Sequence, residues 1–358
     1  DWPNTSGWGT REQPPVVLMY TAAGRPTVQC IAYSTDGGQS WTKYAHNPVL
    51  GQITPDNRDP KVFWHAPTKR WVMTLYVERD KVHTIEFFAS ENLKDWTFLS
   101  ATPGLFECPD FFELPLGGDP NRQRWVLTAA SSEYFVGTFD GTTFRAETPK
   151  LPGHRGRGFY AAQTYSDIPA SDGRRIQIGW LQAPSPGMPF NQAMSAPLVL
   201  SLRETDEGPR LAWQPVKELE QLRGAKRRAS GVTLQANGAA LHLTGGELLD
   251  LETTLEPTAD AELELMVRGI PIRYRAAKAE LTVGDVTNTV PLVEGRLKLR
   301  ALVDRTSLEL FARDGLVYVP LPVIADRAKQ SVELRATGGS VRVEQIELHE
   351  LSSAWPRP

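Results

Sequence analysis

At 358 residues the chain is long enough for two domains that each bury a core without disulfide or metal staples. Its 39 Lys and Arg against 42 Asp and Glu leave a net charge of -3 with no long basic block, which argues against nucleic acid or an anionic membrane as partner and points to a neutral ligand. No apolar run approaches the roughly 18 residues that span a bilayer, so no membrane anchor is expected. The chain opens at Asp1 with no Met, so the lack of a leader leaves localisation open; a secreted or periplasmic site is the reading favoured for the intact protein. Cys30 and Cys108 are too few for a disulfide framework and are expected to be reduced.

In chain order, short β-rich runs recur at residues 16–21, 71–76, 125–129 and 176–180, with starts 55, 54 and 51 residues apart. That spacing is close to the period of a propeller blade. A polar strand and hairpin follow the first three runs, over residues 32–44, 88–100 and 135–146, with tips at Asp36-Gly37-Gly38, Glu91-Asn92-Leu93-Lys94 and Asp140-Gly141. The stretch from Ser34 to Trp41 has the S-x-D-x-G-x-[ST]-W form of an Asp-box, expected to be a structural turn whose Trp packs between strands. Composition changes after Trp213: nine of the ten Trp lie at or before it. Val216, Leu219 and Leu222 share helical spacing, with the basic run Lys226-Arg227-Arg228 behind them, so residues 213–228 are expected to form a linker helix with a solvated charged face. From residue 232 short alternating strands between Gly, Asp and Pro turns predict a β-sandwich over residues 229–352.

The first strand of each propeller blade lines the central channel, so polar residues at blade heads converge. Arg58-Asp59-Pro60-Lys61-Val62-Phe63 stands before the second run, and Glu107-Cys108-Pro109-Asp110-Phe111-Phe112 before the third. Pro biases the residue before it towards extended geometry, which suits a strand entrance with a side chain facing the channel. Asp59 and Glu107 are thus expected to face one space with carboxyl oxygens within about 10 Å, as glycoside hydrolysis by paired carboxylates requires. A neighbouring anion and partial burial would raise the pKa of the proton-donating partner. From spacing alone, a structural Arg58–Asp59 ion pair with Glu107 capping a turn stays equally open.

These two motifs resemble signatures of glycoside hydrolase family 32, the invertases, levanases and inulinases. The likeness extends through Asn4-Thr5-Ser6-Gly7, residues 33–50, Phe159-Tyr160-Ala161-Ala162-Gln163-Thr164, and the stretch from Leu302 to Phe311. It implies an all-β chain, a five-bladed β-propeller with its first blade largely missing here, residues 1–212, followed by the sandwich. It implies retaining, exo-acting hydrolysis of levan, inulin or sucrose, with Glu107 as general acid/base, Asp59 as transition-state stabiliser and Arg58 beside it on the substrate. Tyr160 and Trp180 are weaker candidates for substrate binding, with core or inter-blade packing as the other reading. The family places its nucleophilic Asp in W-x-N-D-P-N-G; this chain has no such motif, so it is expected to be N-terminally truncated, with no nucleophile and no turnover alone. Two further stretches depart from the family pattern, His154-Arg155-Gly156 and Asn191-Gln192-Ala193-Met194, which puts substrate-length preference in doubt.

No cofactor is expected. The six His show no ligand spacing for a metal, and neither a phosphate-cradling glycine loop nor a G-x-S-x-G elbow occurs. The alternatives are an arabinan- or xylan-type five-bladed glycosidase and a non-catalytic fructan-binding propeller.

Overall fold

A computed structural model of the protein describes residues 1–355. It separates into two compact units, one of Asp1–Pro152, Ala161–Asp167 and Glu204–Pro209, the other of Gly153–Tyr160, Ile168–Arg203 and the chain from Arg210 on. Strands dominate both, and the helical elements among the described residues are short 3-10 turns. Among the described residues no helix is long and apolar enough to cross a membrane.

The propeller is a series of antiparallel sheets in sequence order. The first is β1 (Val16–Ala22), β2 (Val28–Ser34) and β3 (Thr42–Lys43). The second is β4 (Arg58–His65), β5 (Arg70–Arg79), β6 (Val82–Ser90) and β7 (Thr97–Pro103), and the third is β8 (Asp110–Pro115), β9 (Gln123–Thr128), β10 (Tyr134–Phe139) and β11 (Phe144–Ala146). A fourth sheet contains β12 (Phe159–Thr164), β13 (Arg175–Leu181), β15 (Leu198–Thr205) and β16 (Gly208–Pro215), with the two-residue β14 (Ala193–Met194) on β13. The recurring runs read from the sequence are β1, β5, β9 and β13.

Why such strands stack is visible in β5, where the six residues from Val72 to Val77 are all buried. Side chains alternate across a strand. Met73, Leu75 and Val77 therefore pack on one face with Phe88, Met19 and Leu50, while Val72 and Tyr76 pack on the other with Phe87, Phe111 and Leu127. A sheet covered on both faces has no alternation of polar and apolar residues to show, and each large side chain buried there stabilises by roughly 1.5–3 kcal/mol.

The Asp-box is a turn, as expected, but its Trp is not packed between strands. Asp36 accepts from Ser34, from Ser40 Oγ and from the Ser40 amide, and these bonds hold its carboxyl well below the ordinary range. Trp41 is 45% exposed and donates its indole N–H to the Gly38 carbonyl at 3.0 Å, so the ring closes the turn rather than filling a core. The next hairpin repeats the device with Asn92 in place of Asp36: its Oδ1 accepts from the amides of Lys94 and Asp95, and Trp96 donates to Leu93.

The sandwich packs a seven-stranded sheet against a six-stranded one. Inward residues such as Leu249, Leu251, Leu265, Leu310, Val343 and Leu348 form a single core. The linker helix expected over residues 213–228 is not formed. Residues 213–215 end β16, only Lys217–Leu222 makes a 3-10 turn, and β17 (Arg223–Ala229) is already a strand of the seven-stranded sheet. The charge pattern explains this. Lys226 and Arg228, two residues apart, both reach Glu347 on the neighbouring strand, at 2.8 and 3.6 Å, while Arg227 lies by Glu350. That is the period of a strand, and cross-strand ion pairs reinforce it.

The second unit also buries a carboxyl. Glu309 accepts from Tyr318 Oη at 2.5 Å and from the Ala196 amide at 2.8 Å, and burial pushes it up to about 7. An acid whose folded value is raised stabilises fully below its unfolded value, near 4.5, and loses that contribution as pH rises through 7. Glu309→Gln keeps the shape without the charge. It should match the parent in urea titrations at pH 4.5 and be more stable by about 3 kcal/mol at pH 8; equal stability at both pH values would show that ionising Glu309 costs nothing. His154 works in the opposite sense: burial lowers it to about 4, so its contribution is lost as pH falls from 6.5.

Candidate active site

Two strand entrances in the first unit meet. At the head of β4 the ladder with β5 slips between Arg58 and Lys61, a bulge that lifts Asp59 out of the pairing. Its backbone is left-handed, φ 64°, against the extended geometry expected before Pro60. The cause is tertiary. The Asp59 amide donates to Thr21 Oγ1 on β1 at 3.1 Å, and that hydroxyl is anchored in turn on Gln29 at 2.8 Å. Glu107 and Cys108, just ahead of β8, are left-handed too, φ 54° and 44°, although Cys108 also precedes a proline. Here the Glu107 carbonyl accepts from the Ala130 amide at 3.0 Å. Non-glycine residues in this region each cost of the order of 1 kcal/mol or more and persist where surrounding bonds over-determine them.

These conformations bring Arg58, Asp59 and Glu107 together. Arg58 donates from Nε and Nη2 to Glu107 Oε1, at 3.1 and 2.5 Å, and its Nε lies 3.9 Å from Asp59 Oδ2. Both carboxylates thus touch one nitrogen, which places those oxygens no more than about 7 Å apart, within the range of catalytic carboxyl pairs. The side chains of Arg58, Asp59 and Glu107 are 27%, 32% and 20% exposed, so all three reach solvent from a half-buried floor. The group in hydrogen-bond contact with Glu107 is the Arg58 cation, which stands between it and Asp59, the neighbouring anion. Burial acts to lower Arg58, but the hydrogen bond and charge of Glu107, with Asp59 and Asp56, outweigh it and raise the guanidinium. The guanidinium also stands 4.7 Å over the Tyr76 ring. Tyr76 itself is pushed up to about 12, first by burial and then by Glu78, and its hydroxyl lies 2.7 Å from His83 Nδ1.

Asp59 Oδ2 accepts from the Cys108 amide at 3.0 Å, with the Cys108 thiol 3.5 Å away. Burial, then Asp59, pushes that thiol up to about 12, so it stays protonated and serves as a weak donor rather than a nucleophile. Asp59 Oδ1 accepts no hydrogen bond among the described residues and remains available to a ligand hydroxyl.

The same motifs also carry a buried ion pair that the sequence alone does not single out. Asp110, fully buried, accepts from the Thr164 amide at 2.5 Å and stands 3.4 Å from Lys61 Nζ, which itself donates to the Thr164 carbonyl at 2.7 Å. Three motifs, R-D-P-K, E-C-P-D and F-Y-A-A-Q-T, are locked together through Lys61, Asp110 and Thr164. The signal was present inside the quoted motifs, as a Lys two residues after Asp59 and an Asp three residues after Glu107.

Tyr160 and Trp180 belong to the second unit, where their rings meet edge to face at 6.0 Å. Trp180 is 39% exposed and pairs across the β13–β14 hairpin with Met194, also exposed, so it is not a core residue. No group of three or more potential metal ligands occurs among the described residues.

The profile of the glycosyl hydrolases family 32 N-terminal domain matches residues 4–215, and that of the glycosyl hydrolases family 32 C terminal matches residues 218–350. The chain is 37% identical to a levanase of Bacillus subtilis over 98% of its own length and 59% of that enzyme's. It is 29% identical to the extracellular exo-inulinase of Aspergillus ficuum, covering 98% of this chain and 79% of the other. The crystal structure of an exo-inulinase from Aspergillus awamori superposes with a TM-score of 0.88 at 25% identity, over 99% of this chain and 83% of that one.

Proposed function

Because the chain belongs to glycosyl hydrolase family 32, we propose that it serves the retaining hydrolysis of β-fructosidic bonds in levan, inulin or sucrose, releasing fructose from chain ends. The observation that supports this most is the convergence of Arg58, Asp59 and Glu107 on one half-buried surface, with the Asp59 amide bonded to Thr21 on β1 and the Glu107 carbonyl to the Ala130 amide. The family profiles meet between residues 215 and 218, which supports a catalytic propeller ending near residue 212.

In this reading Glu107 gives its proton to the glycosidic oxygen as the bond to the anomeric carbon lengthens, and later takes one from the attacking water. Asp59 accepts fructosyl hydroxyls, and its charge gains value as the ring becomes cationic. The Cys108 amide and thiol fix that carboxylate. Arg58 binds beside it and orients Glu107 until the substrate takes over the contact. A two-step displacement also needs an attacking carboxylate about 5 Å from the acid; we assign no residue of this chain to that role. Trp180, 39% exposed, is assigned to sugar stacking, so Trp180→Ala should raise KM about tenfold with kcat little changed, the mark of lost uniform binding. The relative called extracellular supports a secreted protein.

The test is a panel of levan, inulin, sucrose and arabinan offered to the full gene product. Release of fructose from any of the first three, with arabinan untouched, is the expected result. Cleavage of arabinan would move the protein to another glycosidase class, and fructan binding without turnover would make it a binding module.

A further inference from the structure

Arg58 is held at its edges by charge and on its face by a ring. In the ladder between β4 and β5 it stands directly opposite Tyr76, just before the register slips, and its guanidinium carbon lies 4.7 Å over the centre of the Tyr76 ring. Residues opposite one another in a ladder share a face of the sheet. That ring is a fixed surface. It is fully buried among Val72, Ile85 and Phe87, and its hydroxyl lies 2.7 Å from His83 Nδ1 and 3.4 Å from Glu78 Oε2. Phe106 closes the corner, edge to face with Tyr76 at 5.3 Å and with His83 at 4.7 Å, and the guanidinium carbon is 5.9 Å from the centre of its ring.

The edge contacts alone do not hold the guanidinium through a catalytic cycle. Its bonds from Nε and Nη2 go to Glu107 Oε1, and an acid that turns to the glycosidic oxygen gives them up. What remains at the edge is Asp59, 3.9 Å from Nε, and Asp56, 3.4 Å from Nη1 with its side chain 64% exposed. An ion pair so open to water is weak. The contact with the Tyr76 face does not depend on Glu107, and the ring that makes it is shielded from solvent, where cation–π attraction is strongest.

We propose that Tyr76, tethered through its hydroxyl to His83, is a positioning residue of this site: its ring holds the Arg58 guanidinium in one plane beside Asp59 and so presets the direction in which Glu107 meets the leaving oxygen. Being fully buried, Tyr76 acts only through Arg58. This role rests on Glu107 being the acid.

The test is a series at position 76 of the full gene product that keeps the size of the ring and changes its electrons: Tyr76→Phe, then a fluorinated phenylalanine at the same position. Fluorine draws density off the ring face and weakens its hold on a cation. The readouts are kcat on a natural fructan and on a β-fructosyl fluoride, with thermal melts to check the fold. Tyr76→Phe is expected to lower kcat on the fructan about threefold through loss of the hydroxyl tether. The fluorinated ring should lower it by a further factor of about ten, with the fluoride, whose departure needs no proton, losing much less. Equal kcat for plain and fluorinated rings makes Tyr76 a packing residue and overturns the proposal, as does an equal drop on both substrates. Glu107→Gln is the control. A substrate contrast there, with none in the fluorinated variant, sinks the positioning role alone; no contrast in Glu107→Gln sinks the acid assignment and this role with it.

Discussion

Glu107→Gln in the full gene product should lower kcat on levan, inulin or sucrose by about 10²- to 10⁴-fold, the contribution of a positioned general acid. The substitution is chosen for what it preserves. An amide oxygen can still accept from Arg58 Nε and Nη2, now at 3.1 and 2.5 Å, and the left-handed backbone at position 107 is held by the Ala130 amide, which the side chain does not touch. Fold, thermal midpoint and KM should therefore stay close to the parent's, and the loss should sit in kcat. A β-fructoside whose leaving group needs no proton, such as a fluoride, should lose far less. That contrast separates a missing acid from a distorted site. A drop in kcat of less than tenfold on natural substrates, or an equal drop on both kinds, would remove Glu107 from the acid role.

Asp110→Leu should cost about 3–5 kcal/mol of stability, because it leaves the Lys61 ammonium buried without its partner. Lys61 is 14% exposed and Asp110 not at all, so little water is at hand to take over. The Thr164 amide loses its acceptor as well. Lys61→Met combined with Asp110→Leu removes both charges and should recover most of the loss, since an apolar pair of similar volume avoids the desolvation that an ion pair must overcome. Urea titration of the parent, both single variants and the double variant measures the coupling directly. If Asp110→Leu costs under about 1 kcal/mol, the pair is not holding the three motifs together.

How much of this could be read beforehand follows from which forces are local. The strands β1, β5, β9 and β13 were legible because their apolar runs recur and are bounded by turn residues. Arg58, Asp59 and Glu107 were legible because they sit in contiguous motifs. Their conformation was not. The local rule for a residue before proline favours extended backbone, and at Asp59 and Cys108 it is overridden by hydrogen bonds from strands dozens of residues away. Glu107 likewise bonds directly to Arg58, a residue 49 positions earlier, a contact that the motifs read separately do not reveal.

Residues 216–229 show two periodicities competing. Val216, Leu219 and Leu222 have helical spacing, and the stretch from Lys217 to Leu222 does coil as 3-10 for about two turns. The alternation of Lys226 and Arg228 against Glu347 then decides for a strand, but its partner lies more than a hundred residues downstream. Trp41 was misplaced for the opposite reason: a large aromatic is presumed to be core, yet its N–H found the Gly38 carbonyl three residues away.

The most direct test of the central claim is a crystal structure of the full gene product carrying Glu107→Gln, soaked with a fructo-oligosaccharide. The account predicts a terminal fructosyl unit with hydroxyls on Asp59 and the amide at position 107 about 3 Å from the glycosidic oxygen. A sugar bound elsewhere, with Asp59 and position 107 facing only water, would contradict it.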